Sequence, residues 1–320
     1  MMELADVLDS KSSGGDTVRV RPPLPAPKKR QNSTENRRFL FLYTIVTFSH
    51  KKVDYIKINT KKVGVGMRNR MAMQNVYDNE IFFEDFKKKR INSTINFNDC
   101  IETPILLAML PDLHGKSILD IGCGMGQHAK QYSDMGAKSV LGIDISDKML
   151  EYARKNFCAD NITYHQMALE DICGLDQIFD LVTSSLVFDY VQDFDELLLN
   201  VYALMKDDAE FVFSMSHPMA TAYDGKYPRY TRSESGERLY ANINNYFVEG
   251  QRKITWVVDD YELYHRTFSS ILNSLINAGF LIEECQESQV ADELRTQYPD
   301  MFGGTIHRPD FVFFRCKKAM

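Results

Sequence analysis

The chain has 320 residues, room for one large domain or two small ones. With 44% apolar and 26% charged residues it has enough core-forming side chains to fold without disulfides or a structural metal. The formal charge of −6 divides into a net +9 over residues 1–73 and a net −15 over 74–320. An acidic bulk of that size is poorly suited to gripping a phosphate backbone, so nucleic acid is not the expected partner.

The six cysteines (100, 123, 158, 173, 285 and 316) contain no CxxC pair. This argues against a zinc ribbon, a thioredoxin-type redox site and a secreted disulfide scaffold, and no metal site is expected. The longest largely apolar run, Phe39–Phe48, is ten residues, where a membrane span needs about 20. A cytoplasmic protein with no membrane partner is the reading. The oligomeric state is left open.

Residues 1–72 read as a disordered or non-native N-terminal extension. Ser12–Gly15 and Arg21–Arg30 are rich in Ser, Gly, Pro and basic residues without apolar periodicity. Globular patterning starts just after Met71 and Met73, both candidate starts. Asn79–Arg90 reads as a short helix with cations at its C-terminus, where the helix dipole favours them. Thr103–Leu110 reads as a second, with Pro104 in its first turn.

Strands and helices then alternate. Strands are expected at Ser117–Ile121, Ser139–Ile143, Ile162–Met167, Phe179–Ser184 and Glu210–Met215. Helices are expected at Gln127–Met135, Asp147–Asn156 and Phe194–Met205. A helix at Thr267–Ala278 and strands at Phe280–Cys285 and Phe311–Cys316 close the chain. The spacing predicts an α/β fold: a doubly wound, Rossmann-like, seven-stranded, mostly parallel sheet with an antiparallel last strand and helices on both faces. Residues 217–265 interrupt the alternation as an insertion after strand five. A segment that long reads as a lid or binding element, with Arg252–Val258 as a strand of its own hairpin and Trp256 in its core.

The most informative run is Ile118-Leu-Asp-Ile-Gly-Cys-Gly-Met-Gly126. A strand leads into Gly122, Gly124 and Gly126, and a helix starts at once. Glycines permit positive φ and close approach of a ligand to the backbone, and the amides at the new helix's N-terminus face that ligand. The dinucleotide fingerprint is G-x-G-x-x-G, but here the spacing is G-x-G-x-G and Gln127 stands at the third-glycine position. Asp120, two residues before the first glycine, suits a ligand ammonium and would repel a pyrophosphate.

Leu119–Gly126 resembles motif I of class I S-adenosylmethionine-dependent methyltransferases, of the small-molecule type. The resemblance continues in Val140-Leu-Gly-Ile-Asp-Ile-Ser146, in the Met167–Asp171 loop and in Phe179-Asp-Leu-Val-Thr-Ser184, so that it covers residues 117–215. It implies the cofactor S-adenosylmethionine, held by Asp120, Gly122, Cys123, Gly124 and Gly126. Asp144 would take the ribose hydroxyls, Ile145 and Met149 would pack on adenine, and Leu169, Glu170 and Ser184 would complete the site. Cys123 reads mainly as a small filler. Three departures stand out: Ala168 where relatives carry Asp, the turn Lys206-Asp-Asp-Ala209 without its usual glycines, and no His after strand four. Candidate groups for the acceptor side are His217, Asp189 and Tyr190, followed by Tyr264, His265 and Arg266. Lys87–Arg90 reads as a solvated helix end.

The implied activity is in-line transfer of a methyl group from S-adenosylmethionine to a small-molecule acceptor. The alternatives are a tRNA, rRNA or protein methyltransferase docking through the basic N-terminus, and a non-catalytic S-adenosylmethionine-binding protein. A nicotinamide enzyme is disfavoured by Gln127.

Overall fold

The computed structural model describes residues 75–91, 95–254 and 261–318, all within the unit Met67–Met320. The expected N-terminal extension, 1–72, and Trp256 lie outside the described residues.

The central sheet has the spatial order β10-β11-β5-β4-β1-β2-β3. Its first five strands in the chain are β1 (Ser117–Ile121), β2 (Ser139–Asp144), β3 (Ile162–Gln166), β4 (Phe179–Ser185) and β5 (Met205–Ser216), all parallel to their neighbours in this set. The last two are β10 (Phe280–Glu287) and β11 (Phe311–Lys318). β11 runs antiparallel to both β5 and β10, so the final strand of the chain slots between two strands that share one direction. The expected seven-stranded sheet is the sheet observed.

Apolar layers cover both faces. On one, Leu119 and Ile121 pack with Leu197 and Val201 of α5 (Phe194–Ala203) and Ile271 and Leu275 of α7 (Phe268–Asn277). On the other, Ile118 packs with Leu106 of α2 (Thr103–Ala108), with Ala129 and Tyr132 of α3 (Gln127–Asp134), and with Leu150 and Ala153 of α4 (Asp147–Asn156). Neighbouring β1 residues alternate between the two layers, as the two-residue strand period requires. α4 has the expected bounds, and Ser146 caps it by accepting from the Met149 amide.

The helix expected at Asn79–Arg90 is α1 (Glu80–Ile91). α2 is shorter than expected and is preceded by a π-helical turn, Asn98–Glu102. β5 begins five residues earlier than expected. The Lys206-Asp-Asp-Ala209 stretch is part of that strand and forms a bulge, with Asp208 at φ +62° in the left-handed conformation a glycine would otherwise take.

The insertion carries two small hairpins and a short helix. α6 (Pro218–Thr221) follows β5 directly. β6 (Tyr230–Arg232) pairs with β7 (Arg238–Ala241), and β8 (Gly250–Ile254) pairs with β9 (Tyr261–His265). The second is the hairpin expected around Arg252, and residues 255–258 of that expected strand are outside the described residues. Between β10 and β11 lie α8 (Asp292–Gln297) and α9 (Pro299–Phe302), which the sequence reading did not assign. Among the described residues, no helix is long and apolar enough to cross a membrane.

Candidate active site

β1 sits between β2 and β4, where the strand order reverses, and ligands of open α/β sheets bind at the carboxyl ends of strands at such a switch point. A cavity of about 1650 Å³ opens there, with Asp120, Gly122, Cys123 and Gly124 along one wall.

The three loop glycines do different work. Gly122 is at φ +67°, and a Cβ there would lie 2.3 Å from a Val187 methyl. Gly124, at φ +52°, would direct a Cβ into open space, so its bare backbone faces the cavity. Gly126, at φ +85°, does not line the cavity. A Cβ there would meet the Tyr164 hydroxyl at 2.4 Å and Ala153 at 2.9 Å, so this glycine lets α3 pack against β3 and α4. Gly126, expected among the ligand-binding glycines, stands at a packing position and not on the cavity wall.

Asp120 is 1% exposed. Its Oδ1 accepts from Thr183 Oγ1 at 3.5 Å, while its Oδ2 is buried without a partner among the described residues. Burial pushes its carboxyl pKa up to about 7. Asp144, at the end of β2, accepts from the Gly124 and Ser146 amides, each at 2.9 Å. Burial raises its pKa against those hydrogen bonds. Ile145, Met149, Leu169 and Glu170 all line the same cavity, so residues from four separate segments meet there. Ser184 does not join them: its Oγ donates to the Ile121 carbonyl inside the sheet. By strand alternation it is Ser185 that lines the cavity, and Ser184, expected at the site, does not.

A bare-backbone glycine, an orphaned buried carboxylate and a second carboxylate across the wall from apolar side chains form a cradle. It suits a nucleoside carrying a cationic amino-acid tail. Residues 119–213 match the family model described as a methyltransferase domain. The solved S-adenosylmethionine-dependent methyltransferase of Mesorhizobium loti is 35% identical. The match covers 68% of this chain and 97% of that one, with a TM-score of 0.61. The chain belongs to the class I S-adenosylmethionine-dependent methyltransferases. An uncharacterised Haemophilus influenzae protein is 35% identical over 260 residues, 79% of this chain and 99% of its own. The malonyl-[acyl-carrier protein] O-methyltransferase of Buchnera aphidicola is 30% identical over 172 residues, 53% of this chain and 67% of its own.

In this methyltransferase the acceptor-side candidates separate. Asp189 and Tyr190 line the cavity. The Asp189 Oδ2 accepts from the Ser216 amide at 3.0 Å, its Oδ1 is buried and unpartnered among the described residues, and burial raises its pKa. The Tyr190 hydroxyl lies 3.0 Å from that of Tyr77 and also bonds that of Tyr261, which joins the turn Val76–Asp78 to β9. His217 lies outside this cavity. Its Nδ1 accepts from the Met219 amide at 3.1 Å, which leaves the proton on Nε2 to donate to Glu287 at 2.9 Å. Burial lowers its pKa against Glu287. The expected position of His217 at the active face is corrected: it caps α6 and borders a small separate pocket with Phe268. Of Tyr264, His265 and Arg266, only Tyr264 lines the large cavity. His265 is bound within the insertion by Thr221 and the Tyr246 carbonyl, and Arg266 donates to the carbonyls of Phe188, Val191 and Gln192.

The structure adds residues that sequence reasoning missed. Glu102 is wholly buried, accepts from Ser185 Oγ at 2.8 Å and Ser214 Oγ at 2.6 Å, and lies 3.7 Å from His128 Nε2. Burial opposes both charges, but the pair prevails: the Glu102 pKa is lowered and the His128 pKa raised. His128 lines the cavity two residues after Gly126, a position the sequence could have flagged as the first turn of the loop's own helix. Arg90, read as part of a solvated helix end, is instead held by Asn96, Asp99 and Gln127 at the cavity wall.

Proposed function

We propose that this chain transfers the methyl group of S-adenosylmethionine to an oxygen of a small-molecule acceptor bound in the large cavity. The observation that carries the reading is that one cavity runs from the glycine loop to Ser216 and the 217–265 insertion, lined by Asp120 and Asp189, each with one carboxyl oxygen unpartnered among the described residues. The name of the Buchnera relative, an O-methyltransferase, supports an oxygen acceptor. The net −15 of residues 74–320 supports a small molecule over a nucleic acid.

The bound donor supplies an activated methyl group on a sulfonium, open to in-line displacement. Asp120 holds the cationic amino group through its free Oδ2, Asp144 holds the ribose, and Ile145 and Met149 flank the adenine. Leu169 and Glu170 close the adenine side, and Gly122, Cys123 and Gly124 give backbone contact. Fixing an acceptor in this enclosure supplies about 7–11 kcal/mol through positioning alone. Asp189, kept basic by burial, takes the proton of a hydroxyl acceptor through Oδ1, a contribution of about 10²–10⁴-fold. The Tyr190 hydroxyl positions the acceptor and latches Tyr77 and Tyr261 over it. Residues 73–320 make up the methyltransferase domain, with 217–265 as its lid and 1–72 outside it.

The test is thermal unfolding of the full chain with S-adenosylmethionine, S-adenosylhomocysteine or NAD, followed by a turnover screen against small hydroxyl and carboxyl acceptors. Shifts of about 5–10 °C with the first two ligands and none with NAD are expected at saturating ligand. A shift with NAD alone would end this reading. Binding without turnover on any acceptor would favour a non-catalytic S-adenosylmethionine-binding protein.

A further inference from the structure

At the carboxyl end of β5 the cavity wall changes character. Ser216 pairs with Phe311 across the β5–β11 ladder, and the His217 amide bonds the Asp310 carbonyl at 2.8 Å. Arg308, Asp310 and Arg229 all line the cavity here. Arg308 is only 7% exposed. Its Nη2 bonds Asp310 Oδ1 at 3.1 Å, whereas its Nη1 is buried with no hydrogen-bond partner among the described residues. Arg229 approaches from the insertion, with its guanidinium 4.2 Å from the Tyr223 ring centroid. Burial and the nearby Arg308 both lower its pKa, so the two cations feel one another.

This is an expensive arrangement for a buried guanidinium. Arg308 is paired with Asp310, while Arg229 donates to the Ala220 carbonyl at 3.4 Å and has no carboxylate partner of its own among the described residues. A buried donor without an acceptor is destabilising, and more so when charged. Such a cluster is explained by an anionic group that completes it when bound.

We propose that Arg308 and Arg229 form an anchor for a carboxylate on the methyl acceptor, seated at the β5 end of the cavity. The proposal rests on the methyltransferase reading above and specifies the acceptor that the reading leaves open. A carboxylate is preferred to a phosphate dianion because Asp310 already offsets part of the positive charge at Arg308. Arg308 lines the cavity, and a planar guanidinium matches the two oxygens of a carboxylate. Asp310 holds one arm of the Arg308 guanidinium and sets its orientation. Asp189 follows β4, which lies between β5 and β1 in the sheet, and its Oδ2 bonds the Ser216 amide at the end of β5. An acceptor held at one end by its carboxylate therefore reaches past Asp189 towards the methyl donor.

The experiment measures ligand binding to the full chain with S-adenosylhomocysteine present at saturation. The probes are 4-hydroxybenzoate, 4-hydroxycinnamate and hexanoate, with 4-hydroxybenzamide and phenyl phosphate as controls. At least one carboxylate is expected to bind, and the amide to bind at least tenfold more weakly. Arg308→Met is expected to weaken the carboxylate about 30-fold or more, the usual consequence of truncating one partner of a buried charge pair. Arg229→Gln should weaken it less, and Arg308→Lys should restore part of the loss. The S-adenosylhomocysteine shift must survive in each variant, which reports that the fold and the donor site are intact. Equal binding of amide and carboxylate, unchanged carboxylate binding in Arg308→Met, or no carboxylate binding while S-adenosylhomocysteine binds would each overturn the anchor. Tighter binding of phenyl phosphate than of any carboxylate would overturn the choice of anion. Failure of S-adenosylhomocysteine itself to bind would instead strike the methyltransferase reading on which the anchor stands.

Discussion

The Asp144 carboxylate ties the end of β2 to the glycine loop: its Oδ2 accepts from the Gly124 amide at 2.9 Å, while Oδ1 accepts from Ser146. One side chain thus shapes the loop and faces the cavity. Asp144→Ala removes both acceptors and leaves two amides to find water. The expected result is loss of the S-adenosylhomocysteine shift together with a fall in intrinsic stability of about 1–3 kcal/mol. Asp144→Asn should keep more of the stability than of the binding, since an amide oxygen accepts one of the two bonds. Thermal scans with and without ligand separate the two effects, and a full ligand shift in Asp144→Ala would remove this residue from the donor site.

Gly122 and Gly124 are expected to fail differently. Gly122→Ala drives a methyl into Val187 at 2.3 Å, so the cost falls on the fold. Overpacking of this kind costs about 1–3 kcal/mol, and the positive φ adds about 1–2 kcal/mol. Gly124→Ala meets no protein atom and incurs only the conformational strain, but its methyl stands where a ligand approaches. Denaturant unfolding should therefore rank Gly122→Ala as the less stable variant. Calorimetry should show Gly124→Ala losing S-adenosylhomocysteine affinity while it keeps more stability than Gly122→Ala. A Gly124→Ala protein that binds normally would mean the ligand keeps away from this stretch of backbone.

The parts of the candidate site that were legible in the sequence are those fixed by local geometry. Asp120 and Asp144 sit at strand ends, and Gly122 and Gly124 just past one, where positions follow from apolar runs, and strand ends at a switch point converge in any such sheet. Ser184 was misplaced by one residue because the end of β4 was set at Ser184, one residue short of its observed end at Ser185. His217 was placed at the right strand end, but proximity in the chain does not report side-chain direction. The following Pro218 starts α6, and the imidazole turns back to cap it. Arg229, Arg308 and Asp310 were not legible. They come from loops with no periodic pattern, 79 residues apart between the two arginines, and the β5–β11 pairing and the packing of Arg238 on Pro299 and Asp300 bring them to one wall. Glu102 was hidden for a similar reason: it lies in a π-helical turn before α2, while its hydroxyl partners Ser185 and Ser214 are on β4 and β5.

The cap at His217 yields a prediction that separates structure from chemistry. Its Nδ1 accepts from the Met219 amide, so His217→Ala leaves the first turn of α6 uncapped, at a cost of about 1 kcal/mol. His217→Asn restores an acceptor at the same place and should recover most of the loss. Once an acceptor is in hand, neither variant should move the acidic or basic limb of the kcat profile, because the imidazole is outside the large cavity. A His217→Asn enzyme of normal stability that loses its pH dependence would return His217 to the chemistry.

Asp120 gives the clearest dependence on pH. Its ordinary pKa is 3.8 and burial raises it to about 7, so the folded ligand-free protein keeps this proton after the unfolded chain has lost it. The stability contribution is fully present below about pH 4 and is lost as pH rises to about 7, with a limiting slope of about 1.4 kcal/mol per pH unit. Above about 7 both states are ionised and the slope ends. Asp120→Asn removes this component, so the difference in unfolding free energy between variant and parent should grow across pH 4–7 and then level off. The same proton governs the ligand. A cationic amino group bound at Oδ2 favours the carboxylate, so S-adenosylhomocysteine affinity should rise with pH towards 7 in the parent and stay flat in Asp120→Asn. Calorimetry in two buffers of different ionisation enthalpy would detect the released proton directly near pH 6. Parallel stability curves, or binding with no proton released, would show that Asp120 is already ionised in the fold and that its Oδ2 has found a partner in solution.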